Sequence, residues 1–116
     1  MSIRIIIESI SKQELQELAN VWYGTLIKGA VDVENETVAL GGDWHIDACE
    51  VLTGQGSHKD NVWGFNILMT EDGLENAFEY NSMINIKPVH NHKQMEIGPD
   101  ELRQKIFEIV SQKIIW

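Results

Sequence analysis

Asp43-Trp44-His45-Ile46-Asp47-Ala48-Cys49-Glu50-Val51-Leu52 satisfies two periodicities at once. Trp44, Ala48, Val51 and Leu52 fall on a helical stripe, whereas Trp44, Ile46 and Ala48 alternate with His45 and Asp47 as in a half-buried strand. The choice decides how many strands the sheet has, and whether His45 and Asp47 share a face. The period-two reading is preferred here, which places both side chains on one side of a strand after the Gly41-Gly42 break.

The flanking segments read more simply. On the N-terminal side, Ile3 to Ile7 is β-branched and suits a strand buried on both faces. Ser11-Lys12-Gln13-Glu14 is a capping box, with Ile10 placed to staple onto Leu15. It opens a helix whose Leu15, Leu18, Ala19 and Trp22 form one stripe and which Gly24 stops. Leu26 to Val33 and Thr37 to Leu40 form a hairpin around Glu34-Asn35-Glu36. On the C-terminal side, a polar loop from Thr53 to Asn61 precedes a strand at Val62 to Met69. An acidic loop follows, then a long strand from Phe78 to Lys87 that Pro88 ends. A last helix opens at Pro99-Asp100-Glu101 and carries Leu102, Ile106, Ile109 and Val110 inward. The expected fold is α+β: a two-layer sandwich of a mostly antiparallel, four- or five-stranded sheet with two amphipathic helices on one face, in a single domain over residues 1–116.

Composition narrows the function. The 116 residues hold 18 acidic and 9 basic side chains, a formal charge of −9 that repels phosphate backbones and anionic lipid. Neither nucleic acid nor membrane is an expected partner. Cys49 is the lone cysteine, so no intrachain disulfide forms, and the opening apolar run is too short for a signal sequence. A cytoplasmic location is expected.

The chemistry-bearing residues are few. Lys28, His45, Asp47, Asn66 and Asn85 are placed together on one polar sheet face, where they would hydrogen-bond a ligand. His45 and Asp47 with His90 and His92 are weak metal candidates, because His and carboxylate suit zinc. No recognised zinc, nucleophile or phosphate-loop spacing accompanies them, so no cofactor is expected. Lys87 to Lys93 holds two lysines and two histidines without an acidic residue, which would draw an anion. Ile114-Ile115-Trp116 presents apolar area that a homodimer would share.

Taken with Trp22-Tyr23-Gly24, Leu26 to Asp32, Ala39-Leu40-Gly41-Gly42, Trp63-Gly64-Phe65-Asn66 and Ser82-Met83-Ile84-Asn85-Ile86-Lys87-Pro88, the chain resembles a family of small prokaryotic proteins of similar length, known as a domain of unknown function. The resemblance covers nearly the whole chain and implies a single-domain protein. It supplies no activity. After Pro88 the family carries a Gly- or Asn-containing turn with an Arg, and of Val89-His90-Asn91-His92-Lys93 only Asn91 matches. Three functions fit these residues. The first is a homodimeric binding module with a polar ligand face. The second is a small hydrolase using His45, Asp47, Asn85 and Lys28, with or without a metal, and the third an acidic, antitoxin-like regulator.

Overall fold

Ser11 forms the capping box its sequence encodes: its Oγ accepts from the Glu14 N–H at 3.1 Å and the Glu14 carboxylate accepts from the Ser11 N–H at 3.2 Å. In the computed structural model, which describes residues 2–116, the helix that follows, α1, spans Lys12–Trp22 and buries Leu15, Leu18 and Ala19. It is preceded by two short strands, β1 (Arg4–Ile5) and β2 (Ile10–Ser11). The hairpin strands β3 (Leu26–Asp32) and β4 (Thr37–Leu40) come next. After them run α2 (His45–Gly54), β5 (Val62–Leu68), the single turn α3 (Leu74–Ala77), β6 (Phe78–Glu79), α4 (Asp100–Ser111) and β7 (Ile114–Ile115).

The main sheet has the order β1-β4-β3-β5-β6 and every pairing in it is antiparallel. β2 and β7 form a separate parallel pair. Alternation along the strands splits the interior in two. Ile27, Val31, Val38, Phe65 and Ile67 face α1 and α4 in the larger core, with Leu15, Leu18, Ile106 and Ile109 as expected. Ala30, Ala39 and Val62 point the other way, onto Ala48, Cys49 and Leu52 of α2. Their small side chains let α2 approach the sheet closely. Helices therefore cover both faces of the sheet, rather than one as the sequence reading had it.

Three further expectations are corrected. Residues 45–54 are helical: Gly41 and Gly42 turn the chain out of β4 at φ +116° and +106°, and the Asp47 carboxylate accepts from the Trp44 N–H at 3.0 Å, capping the new helix. The apolar alternation that suggested a strand does not mark burial, since Trp44 and Ile46 are both exposed. Ile3 to Ile7 supplies only the two-residue edge strand β1, and Ile7 is exposed. The long strand from Phe78 to Lys87 ends after Glu79 and gives way to 3₁₀ turns at Met83–Asn85 and Pro88–His90.

That last change has a local cause. A Cβ on Gly64 would lie 2.6 Å from the Ser82 Cβ and Oγ, so the missing side chain lets residues 82–85 fold over β5. The Asn85 amide then takes the place of a strand: its Oδ1 accepts from the Gly64 N–H at 2.7 Å and its Nδ2 donates to the Gly64 carbonyl at 3.0 Å. The backbone groups of Gly64 are thus satisfied without a β6 partner. Trp116, where self-association was expected, packs against the larger core with the Lys12 ammonium 4.2 Å from its ring centroid. Among the described residues no helix is long and apolar enough to cross a membrane.

Candidate binding groove

The register of β3 and β5 sets Lys28 opposite Asn66, on the face that α2 covers. Because α2 begins at His45, its first turn lies over this end of the sheet, and the His45 ring reaches β5. Its Nε2 lies 2.8 Å from the Asn66 Oδ1 and 3.0 Å from the Phe65 carbonyl. A carbonyl oxygen only accepts, so Nε2 carries the proton and Nδ1 is the open nitrogen of the neutral ring. Burial pushes the His45 pKa down; the hydrogen bond to Asn66 opposes this, and the nearby Lys28 charge lowers it further. His45 is therefore neutral at pH 7.

Lys28 has no acidic partner. Its Nζ sits 5.2 Å from the Tyr23 ring centroid and 5.1 Å from that of Trp44, held between two aromatic faces. Among the described residues it makes no ion pair, in a chain with twice as many acidic as basic groups. Trp44, Ile46, Met83 and Met95 rise around it. Together with His45 and Lys28 they border a cavity of about 430 Å³ whose exposed surface is mostly carbon. Trp44 is 65% and Met83 71% exposed, an unusual exposure for such large side chains on so acidic a chain.

A second cavity of about 300 Å³ shares Ile46 and Ile84 with the first and continues along α2 past Cys49 to Lys87, Pro88 and Val89. Lys87 is only 7% exposed. Its Nζ donates to the Lys59 carbonyl at 2.9 Å and lies 5.3 Å from the Trp63 ring centroid. Burial pushes its pKa down and pushes that of the Cys49 thiol up. A hollow as large as the first lies across the molecule, against α4, but Glu36, Glu101 and Glu108 line it and it belongs to the solvated acidic surface.

Of the expected site residues, Lys28, His45 and Asn66 come together. Asn66 acts through His45, its own Nδ2 being turned to the Asn81 carbonyl at 3.3 Å. Asp47 does not join them. In the helix it is turned back on the Trp44 N–H, and the shared strand face on which its role depended does not exist. Asn85 is fully buried, and besides Gly64 its Nδ2 reaches the Met95 carbonyl at 3.1 Å, so its amide is committed to the fold.

The weak metal candidates are also dispersed. His92 donates from Nδ1 to the Asn85 carbonyl at 2.7 Å and accepts at Nε2 from the Gly98 N–H at 3.2 Å, which occupies both nitrogens. His90 stacks on Trp63 and bonds the Asp60 carbonyl at 2.7 Å. Among the described residues no three His, Cys, Asp or Glu side chains converge as a metal site would require. The groove walls Trp44, Ile46, Met83 and Met95 were not expected from the sequence as site residues. Their only signal was apolar bulk on segments whose core faces were already filled.

The described residues thus form an α+β fold with an apolar, cation-bearing groove between a helix and an antiparallel sheet. The chain belongs to the family described as a protein of unknown function, DUF5674, whose model matches residues 4–113. No curated protein and no solved structure matches it.

Proposed function

We propose that this protein is a binding module whose groove takes a small amphiphilic anion, a ligand with an apolar body and a carboxylate or similar head. The observation that carries this reading is the unpaired ammonium of Lys28 on the floor of an apolar cavity, in a chain of net charge −9. Lysines 28, 59 and 87 line the two joined cavities and Asp60 is their only carboxylate, so the groove is complementary to an anion where the rest of the surface repels one. Trp44, Ile46 and Met83 supply apolar contact for the body. Neutral His45, held by Asn66, offers its open Nδ1 as an acceptor for a hydroxyl or amide on the ligand.

Octanoate is a suitable probe. At about ten heavy atoms its dissociation constant should fall near ~0.1–1 mM, and the Trp44 indole should report its arrival. Replacing Lys28 with Met keeps the apolar stem and removes the charge, which should weaken octanoate about 10- to 100-fold, the loss of one charge-assisted hydrogen bond. Equal binding by the two proteins would reject the reading.

The hydrolase reading keeps one supporting observation, the neutral His45 with an unprotonated nitrogen at the groove. Asp47 and Asn85, which would have assisted it, are engaged elsewhere. Binding without turnover is the better match to this arrangement, and a homodimer remains part of the proposal through the C-terminal apolar end, where Ile115 is exposed beside Trp116.

A further inference from the structure

The second cavity carries a charge that the first does not explain. Lys87 is more than nine-tenths buried, yet among the described residues it makes no ion pair. An ammonium group has three N–H donors, and the structure spends one of Lys87's, on the Lys59 carbonyl. The face of Trp63 compensates part of its desolvation. Asp60, the one carboxylate bordering this cavity, has its Oδ2 3.6 Å from the His58 ring instead. The Asp60 charge acts on Lys87 only from beyond ion-pairing distance and burial outweighs it, so this buried cation has no contacting carboxylate among the described residues, in a chain where carboxylates are in surplus. The two cavities meet at Ile46 and Ile84, which wall both of them. Lys28 therefore stands in one compartment and Lys87 in the other, with an apolar ridge between.

We infer that the natural occupant is an elongated dianion, a chain with an acidic group at each end and an apolar middle, lying across Ile46 and Ile84 with one end on Lys28 and the other on Lys87. This rests on the groove reading above and names its ligand class. A single-headed amphiphile seated on Lys28 leaves Lys87 without an anion. A compact dianion such as free phosphate or oxalate satisfies one lysine and leaves the apolar ridge uncovered. A linear α,ω-dicarboxylate meets both demands, and its carboxylate beside Lys87 would also counter the downward push of burial on that amine.

The test compares monoacids with diacids of equal chain length, from hexanoate and hexanedioate to dodecanoate and dodecanedioate, by calorimetric titration of the intact protein at pH 7. In the wild type, the best diacid should bind about tenfold or more tighter than its monoacid, the gain expected of a second charge-assisted contact. Lys87→Met should erase that preference while keeping monoacid affinity, and Lys28→Met should weaken both. Monoacids and diacids bound equally by the wild type, with Lys28 still required, would overturn the dianion and leave the groove standing. No binding of either kind would remove the groove itself.

Lys87→Met removes a clamp on residues 59–61 as well as a charge, so the wild type supplies a second readout that needs no variant. The Trp63 ring lies against Lys87 and reports on that compartment. Saturating diacid should shift the Trp63 indole N–H resonance of isotopically labelled protein, and its monoacid, held at Lys28, should leave that resonance in place. A Trp63 resonance unmoved by bound diacid would overturn the proposal.

Discussion

At the scale of single residues, the chain spends its unusual polar groups in two different ways. Asn85 is consumed by the backbone: it answers both polar groups of Gly64 and the carbonyl of Met95. Asn85→Ala strands these groups in the interior at about 1–3 kcal/mol for each one left unpaired. The expected loss is at least ~2 kcal/mol, a fall in Tm of roughly 8 °C, and thermal unfolding would show it. A change below about 0.5 kcal/mol, typical of a surface substitution, would place Asn85 outside the fold's support. Asn66 instead orients His45 at the groove, and Lys28 is left open between two rings. The sequence made all three visible as polar residues among apolar ones. It could not distinguish them, because whether an amide is consumed depends on a neighbour twenty-one positions away, the side-chain-free Gly64.

At the scale of elements, α1 and α4 were legible because their stripes and caps agree with each other: Ser11 with Glu14 at one start, Pro99 with Asp100 and Glu101 at the other. The hairpin of β3 and β4 and the strand β5 were legible for the same reason. α2 was not. Its outer face carries Trp44 and Ile46, whose apolar character belongs to the groove, and this obscured the helical stripe of Ala48, Cys49 and Leu52. An element that lines both a core and an open groove is apolar on more than one side, and periodicity then loses its meaning. The same holds for residues 80–87, where Met83 is exposed to the groove. If α2 is held by its small core, Leu52→Ala should cost ~2–5 kcal/mol despite the modest size of that cluster. Denaturant titration would measure it, and a loss under ~0.5 kcal/mol would mean α2 is held by something other than Leu52.

At the scale of the molecule, charge sets the acid limit of stability and distinguishes the groove from the rest of the surface. Asp32 is fully buried at the hairpin, and burial alone would raise its pKa. Hydrogen bonds outweigh that cost: from Ser57, from Asn35 through its backbone and side chain, and from the Glu34 N–H, so the carboxyl titrates below its ordinary value. A depressed folded pKa stabilises the native state fully above the unfolded value of about 3.9 and ceases to do so as pH falls through the lower folded one. Stability should therefore drop as pH falls below about 4, and Asp32→Asn should flatten that part of the curve while lowering the plateau at pH 7. An unchanged acid limb in Asp32→Asn would assign the loss to other carboxylates.

Against this acidic background the groove gathers three lysines against a single carboxylate, and that contrast is the centre of the account. The most direct test is to titrate isotopically labelled protein with octanoate and follow every backbone and indole N–H by nuclear magnetic resonance. The account predicts saturable shifts concentrated at Lys28, Trp44, His45, Ile46 and Met83, all lost in Lys28→Met. Shifts centred instead on α4 and the tip of the hairpin, or the same groove shifts persisting in Lys28→Met, would contradict it.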